Sequence, residues 1–207
     1  IEMYAFQDCS SLIEIEIPSS VELISSFSFD RCTSLEKMVI PSSVTEIGEF
    51  AFRGCSKLKE LSLSSSLVTI KSFAFEECTS LIEIEIPAST KLISIYAFSK
   101  CTSLKKVVNY SQQTEIQANT FSECSSLEQV TIPSSVTIIK ENAFMKCTSL
   151  AEITIPSSVV TISDLVFNGC TSLARLLVPS SVEKIGGNAF KGCTSLNCIS
   201  FDEPSHL

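Results

Sequence analysis

The cysteines of this sequence are numerous and regularly spaced, and their thiols could do chemistry. Nine cysteines follow one another at intervals of 23 residues without exception: Cys9, Cys32, Cys55, Cys78, Cys101, Cys124, Cys147, Cys170 and Cys193. Thiols in such numbers could bind a metal ion, form disulfides or fill a protein interior. Each use leaves a different pattern in the surrounding residues.

A metal site is the least supported of these uses. Zinc sites pair their ligands at short spacing, as in two cysteines separated by two residues. The sequence has no such pair, and its only histidine is His206 near the C terminus. We therefore expect neither a metal site nor any other cofactor.

Paired carboxylates are the second candidate for chemistry. Glu14 with Glu16 and Glu83 with Glu85 could bind calcium or act as acid and base. Basic residues interrupt the acidic series, and no calcium-binding loop of the D-x-D-x-D-G type occurs. With one histidine, no G-x-S-x-G motif and no glycine-rich phosphate loop, no nucleophile has a base, and the sequence predicts a protein that is not an enzyme.

The elements that must position these residues repeat with the same period as the cysteines. A Phe precedes each of the nine cysteines by three residues, and a Leu follows by three. The whole unit reads F-x-x-C-[ST]-x-L-x-x-I-x-I-P-S-S-V-x-x-I. Nine copies of 23 residues without an insertion predict a single β-rich solenoid over residues 1–207.

Within a unit, the stretch "LIEIEIP" alternates apolar and polar residues, as a half-buried strand does. Ile84 and Ile86 are expected to point inward, Glu83 and Glu85 outward, and Pro87 to end the strand. The following segment predicts a short second strand and a 3₁₀-like turn on the other side. Stacked about 4.8 Å apart, the units would place nine parallel strands in one sheet on the concave face, with right-handed crossovers.

Within this frame the cysteines are best interpreted as a structural ladder in the interior. Each thiol lies between an inward Phe and an inward Leu, and free cysteine behaves as a small buried hydrophobe. Equivalent positions on neighbouring units would be about 5 Å apart, which a disulfide allows. Pairing along the ladder therefore stays open, although nine is an odd number.

Composition excludes some partners. The chain has 15 Lys and Arg against 23 Asp and Glu, which disfavours a nucleic-acid partner because phosphate backbones attract a basic surface. No apolar run approaches the ~20 residues of a membrane span, so direct membrane insertion is not expected. The first residues, "IEMYAFQDC", do not resemble a signal peptide.

The recurring "AF-x-x-C-[ST]-S-L" and "I-P-S-S-V" stretches resemble the BspA-like branch of the leucine-rich repeats over essentially the whole chain. The resemblance implies a right-handed leucine-rich-repeat arc. It also implies a protein at the cell surface or secreted, acting in adhesion to host matrix or host cells, and offers no catalytic residues. Repeat five departs from the pattern, with "VVNYSQQTEI" where another repeat has "ITIPSSVTII".

Outward strand positions form two columns that could recognise a protein partner. From these columns we select the following candidates on the concave face: Glu14, Glu16, Lys37, Val39, Glu60, Glu83, Glu85, Lys106, Val108, Arg175 and Leu177. Charged groups would set partner choice and the apolar residues would anchor it. The alternative is a solvated ladder in which lysines relieve repulsion between glutamates.

These observations predict a non-catalytic protein-interaction module. Cell-surface adhesion is one interpretation, and an intracellular scaffold or adaptor is the alternative, since abundant unpaired cysteine suits a reducing compartment. A structural spacer is a further rival. The chain begins in mid-unit without a polar cap, so we expect part of a longer array or end-to-end self-association.

Two single residues have both a functional and a structural interpretation. Asn109 opens an N-Y-S sequon and is a candidate for glycosylation, or a drifted residue whose amide bonds the turn backbone. Cys198 lies outside the regular cysteine series on an outward position, and is either an exposed free thiol or a tolerated terminal substitution.

Overall fold

The chain forms a solenoid of parallel strands without a helix in the described part. The structure is a computed structural model and describes residues 1–202; His206 lies outside these residues. No helix there could cross a membrane. Each repeat of the sequence contributes one turn of the solenoid, called a rung below.

Two series of short strands alternate along the chain. The main strands are β2 (Lys37–Val39), β4 (Glu60–Ser62), β6 (Glu83–Ile86), β8 (Lys106–Asn109), β10 (Gln129–Val130), β13 (Arg175–Val178) and β15 (Cys198–Phe201). The second strands are β1 (Leu23–Ile24), β3 (Glu46–Ile47), β5 (Thr69–Ile70), β7 (Leu92–Ile93), β9 (Glu115–Ile116), β11 (Ile138–Ile139), β12 (Thr161–Ile162) and β14 (Lys184–Ile185). The second strands form two four-stranded parallel sheets, β1-β3-β5-β7 and β9-β11-β12-β14.

The main strands also pair in parallel, and each residue pairs with its equivalent in the next repeat, such as Glu83 with Lys106. The expectation of one nine-stranded sheet is wrong, because these strands form three sheets: β2-β4, β6-β8-β10 and β13-β15. The ladder changes after β10. Between repeats five and six, Glu128 N donates to Lys105 O. In the next rung the hydrogen bond between repeats runs from Ser149 N to Ser125 O instead, and residues 151–155 form no strand.

The far side of each rung is a run of turns rather than a helix. Ala51 N donates to Gly48 O at 3.3 Å and Cys55 N to Phe52 O at 3.2 Å. These bonds join residues three apart, as in the 3₁₀-like turns expected from the sequence, but they close β-turns and not a 3₁₀ helix. Phe50 and Gly54 interrupt the run with φ values of 56° and 69°. A residue in the left-handed conformation at the third position of a four-residue turn closes the turn but cannot continue a helix.

The interior is a single cluster that extends along the solenoid, with one Phe from each rung at its centre. Seven of these rings are fully buried: Phe29, Phe52, Phe75, Phe98, Phe121, Phe144 and Phe167. Neighbouring rings from Phe6 to Phe190 stack with centroids 5.0–5.7 Å apart and planes 2–10° from parallel. The repeated sequence frame therefore becomes a set of continuous columns.

Candidate partner-binding face

Eight of the nine cysteines of the regular series lie in the interior, whereas Cys9, which was expected there too, does not. Cys32 and the later members of the regular series, through Cys193, are buried, and every cysteine of the chain is free. Each of these eight thiols donates to the carbonyl of the Phe in the preceding rung, at 3.1–3.2 Å; Cys78 Sγ to Phe52 O is one of them. Cys9 is exposed because it lies in the first rung, where only one side of the interior is covered.

Burial also makes these thiols poor nucleophiles and poor metal ligands, because only the thiolate reacts or coordinates. It raises the pKa of the Cys32 thiol to about 11 and that of the Cys170 thiol to about 12. No group of three metal-ligating side chains occurs within residues 1–202. The ladder has the chemistry of a protein core.

The outward residues of the main strands form an exposed face that a partner could bind, called the main-strand face below. Its first column is Glu14, Lys37, Glu60, Glu83, Lys106, Gln129, Glu152, Arg175 and Cys198, and all nine are exposed. Its second column is Glu16, Val39, Ser62, Glu85, Val108, Thr131, Thr154, Leu177 and Ser200, of which only Val108 is half-buried. The alternation expected from the sequence holds, since Ile84 and Ile86 are buried between these columns.

Most charges on the main-strand face lack an ionic partner. The face has six glutamates against three basic residues. Within residues 1–202, the one ion pair among them joins Lys37 Nζ to Glu60 Oε2 at 3.0 Å. Both side chains are more than half exposed, so the pair contributes only about 0–1 kcal/mol. Glu83 and Lys106 are register partners, yet they do not form an ion pair in the described part of the chain.

Several charged residues form ion pairs on the opposite side of the solenoid, which consists of the turns and is called the turn side below. Arg53 binds the fully buried carboxylate of Asp30 through two hydrogen bonds of 2.8 and 2.9 Å. Lys100 contacts both Glu77, at 2.8 Å, and Glu76. Hydrogen bonding to Asp30 raises the pKa of Arg53, and burial raises the pKa of Glu76. These ion pairs link neighbouring rungs, whereas seven of the nine charges on the main-strand face stay available.

Apolar side chains and shallow grooves accompany the free charges. Val39 is 53% exposed and Leu177 is 51% exposed, so each offers apolar area to a partner. A groove of about 650 Å³ is lined by Glu14, Ile15, Glu16, Ile17, Lys37, Val39 and Pro41. Apolar anchors beside unpaired charges are the features expected of a protein-binding surface.

One column of residues was missed by the sequence analysis. Tyr4, Phe27, Phe50, Phe73 and Tyr96 stack on the turn side with centroids 4.7–5.1 Å apart. All five have positive φ, a conformation that bulky residues rarely adopt. Their regular spacing was readable in the sequence, but their backbone conformation was not.

Asn109 lies on the interior side of β8 and is 2% exposed. Its Oδ1 accepts a hydrogen bond from Ser111 N at 3.0 Å, as the drift interpretation expects. Glycosylation at this position stays untested, and the folded chain keeps the amide nitrogen buried. Cys198 is exposed at the end of the first column.

Comparison with solved structures finds the same architecture in bacterial proteins. A leucine-rich repeat protein from Bacteroides ovatus is 31% identical, with a TM-score of 0.85, over 98% of this chain and 58% of that one. A leucine-rich cell surface protein from Faecalibacterium prausnitzii is 28% identical, with a TM-score of 0.53, over 98% of this chain and 69% of that one. The chain thus spans just over half the length of the Bacteroides protein.

The Treponema pallidum leucine-rich repeat protein is 30% identical, with a TM-score of 0.59, over 87% of this chain and 76% of that one. No curated protein matches the sequence. The family described as BspA type leucine rich repeat region (6 copies) matches residues 1–128 and 114–206. The chain belongs to the BspA type leucine-rich repeat family.

Proposed function

We propose that the chain is a non-catalytic adhesion module that binds a protein at a cell surface or in the host matrix through its main-strand face. Families of this kind generally supply binding scaffolds, and one similar structure is that of a cell surface protein. The observation that carries the proposal is the contrast between the two sides of the solenoid. Four basic residues of the turn side, Arg31, Arg53, Lys100 and Lys146, have acidic partners, whereas seven of the nine charged residues of the main-strand face have none in the described chain.

Energetics favour the main-strand face over the turn side. Every charge that a docking protein covers loses hydration. An unpaired charge gains an ionic partner in exchange, whereas a charge that already has a partner gains less. Val39 and Leu177 add apolar area that water leaves on binding. Six glutamates on this face favour a partner with a basic surface.

The test is binding of the purified chain to matrix extract and, in parallel, to cytosolic extract. Glu83→Lys, Glu85→Lys and Lys106→Glu together reverse the centre of the face. We expect the triple variant to lose at least about tenfold in apparent affinity for a matrix or cell-surface protein, equivalent to about 1.4 kcal/mol. Identification by mass spectrometry of the protein retained by wild type and lost by the variant completes the assay.

A matched control makes the same charge changes elsewhere. Glu49→Lys, Glu141→Lys and Lys191→Glu alter exposed residues of the turn side, none of which forms an ion pair in the described chain. We expect this control to bind as wild type does. Equal binding by all three proteins would refute the proposal, and absence of binding by wild type would favour a structural spacer.

An intracellular adaptor is the second candidate, and the free thiols favour it. All ten cysteines are unpaired, which is common in a reducing compartment and uncommon outside it. The adaptor would use the same face, so the triple variant serves both hypotheses. Retention of a cytosolic protein, with none from the matrix or cell surface, would select the adaptor.

A further inference from the structure

Repeat five contains a polar cluster in which Asn109 and Gln113 take positions that are aliphatic in most other rungs, while the position of Ser111 is a serine in most of them. Asn109, Ser111 and Gln113 are 2%, 3% and 4% exposed. In the next rung Ile132 and Val136, both buried, stand where Asn109 and Gln113 stand here. Three polar side chains at one corner of the interior therefore distinguish this rung.

Four atoms of the cluster have no hydrogen-bond partner within residues 1–202. They are Asn109 Nδ2, Ser111 Oγ, and both Nε2 and Oε1 of Gln113. A buried polar atom without a partner costs about 1–3 kcal/mol. At Asn109 and Gln113, where most rungs have an aliphatic residue, such a cost favours a role other than stability.

The same corner opens to the surface through a groove of about 390 Å³. Asn109 and Ser111 line it together with Tyr110, Gln112, Thr131, Ile132, Pro133, Ser134 and Ser135. Tyr110 is 56% exposed and takes the position that Pro133 holds in the next rung. No charged residue belongs to the lining, unlike the groove at Glu14 and Lys37.

The chemistry of this groove fits hydroxyl groups. Asn109 Nδ2 is an amide nitrogen and can only donate, and Oδ1 of the same side chain already accepts from Ser111 N, while a serine hydroxyl can donate and accept. A carboxylate or phosphate ligand would call for a cation in the groove, and an ammonium ligand for a carboxylate. A ligand hydroxyl satisfies a donor and a hydroxyl alike, and the flat ring of Tyr110 offers an apolar surface to C–H groups.

We propose that the groove at repeat five binds a neutral saccharide. Its hydroxyls would bond the exposed Thr131 and Ser134 at the mouth, while one face of the sugar ring packs on Tyr110. Entry of the sugar would part the buried corner, so that Asn109 Nδ2 and Ser111 Oγ bond it at the inner end. The proposal goes beyond protein binding by the main-strand face and does not depend on it.

Saturation-transfer NMR on the whole chain tests the proposal with glucose, galactose and N-acetylglucosamine at millimolar concentration. Glucuronic acid serves as the charged comparison, and glycerol as the polyol without a ring. We expect transfer to at least one neutral sugar and much weaker transfer to the two comparison compounds. Absence of transfer to all three sugars, or equal transfer to glycerol, would overturn the proposal.

A repaired variant separates binding from folding. Asn109→Ile, Tyr110→Pro and Gln113→Val restore the residues of the next rung. We expect this variant to unfold at a higher urea concentration than wild type, and to bind the sugar about tenfold more weakly or worse. Unchanged sugar affinity in the repaired variant would contradict the proposal.

A second variant covers the case in which the repaired chain does not fold. Thr131→Val and Ser134→Ala remove two exposed hydroxyls at the mouth of the groove and leave the interior untouched. Weakened sugar binding by this variant supports the proposal, and full binding overturns it.

Discussion

At the scale of single residues, the repeated cysteine is explained by its size and its S–H group. Phe52 O accepts Cys55 N at 3.2 Å and also Cys78 Sγ from the following rung at 3.2 Å. The thiol thus links adjacent rungs while filling a space next to a Phe ring. A serine would place a more strongly polar group there, and an alanine would leave the volume of the sulfur atom empty.

The buried thiols predict a loss of stability at alkaline pH. Burial raises their pKa above the ordinary value of 9.0 at seven positions: Cys32, Cys55, Cys78, Cys101, Cys147, Cys170 and Cys193. Above pH 9 the unfolded chain releases these protons and the folded chain keeps them. The stabilisation is therefore complete below about pH 9 and falls as pH rises through the folded pKa values, by up to about 1.4 kcal/mol per pH unit for each thiol.

Urea unfolding at several pH values from neutral to about pH 10 measures this slope. Cys55→Ala with Cys147→Ala removes two of the buried thiols, so we expect a shallower alkaline decline than in wild type. Cys9→Ala is the matched control, because Cys9 is exposed and should leave the slope unchanged. An equal slope in all three proteins would show that other groups cause the alkaline loss.

At the scale of elements, the sequence predicted the faces of the strands better than their extent. The alternation in Glu83–Ile86 gave the correct outward and inward residues because a strand has a period of two. The break after β10 was not predictable, since the local pattern at Ile153 and Ile155 is as regular as elsewhere and the change lies in pairing between rungs. Hydrogen bonds between rungs depend on relative position, which local periodicity does not encode.

The candidate site, too, has features that could be predicted from the sequence and features that could not. Both outward columns followed from the repeat, and so did the placement of Val39 and Leu177. Which charges remain unpaired did not, because pairing depends on side-chain conformations across rungs. The sequence marked repeat five as irregular, but the burial of Ser111 follows from a backbone path that lacks the usual turn after the main strand.

The turn at Gly48 provides a test of how closely the rungs approach. A Cβ atom at this position would lie 2.5 Å from Ser26 N and 2.6 Å from Ser25 C, both backbone atoms of the preceding rung. We expect Gly48→Ala to lower the free energy of unfolding by about 1–3 kcal/mol, because the rungs must move apart. Ser94→Ala is the control at the equivalent position of another rung, where a side chain is already present. Urea unfolding of the two variants should separate clearly; equal stabilities would mean that the turn adapts to a side chain.

At the scale of the whole molecule, a shift of 23 residues relates each rung to the next within every column. Each rung contacts only its neighbours, so stability is approximately a sum of rung and interface terms. The long-range contacts follow the same period: Phe52 stacks on Phe75 of the next rung, and the thiol of Cys78 donates to the carbonyl of Phe52. The length of the array is therefore adjustable in steps of one rung and in no other step.

Removing one rung tests this rule directly. Deletion of residues 148–170 joins Cys147 to Thr171, so the sequence continues with the same C-T-S-L motif. We expect the shortened chain to fold with a single cooperative urea transition, a smaller m-value and retained binding through Glu83, Glu85 and Lys106, because every remaining column stays in register. Deletion of residues 149–170 is the control, since it removes one residue fewer than a full repeat and shifts the following rung by one position. A shift of one residue turns the buried face of a strand outward, so this chain should unfold broadly or aggregate. Similar unfolding of the two deletions would mean that the rungs fold independently of register, contrary to the stacked columns on which the fold depends.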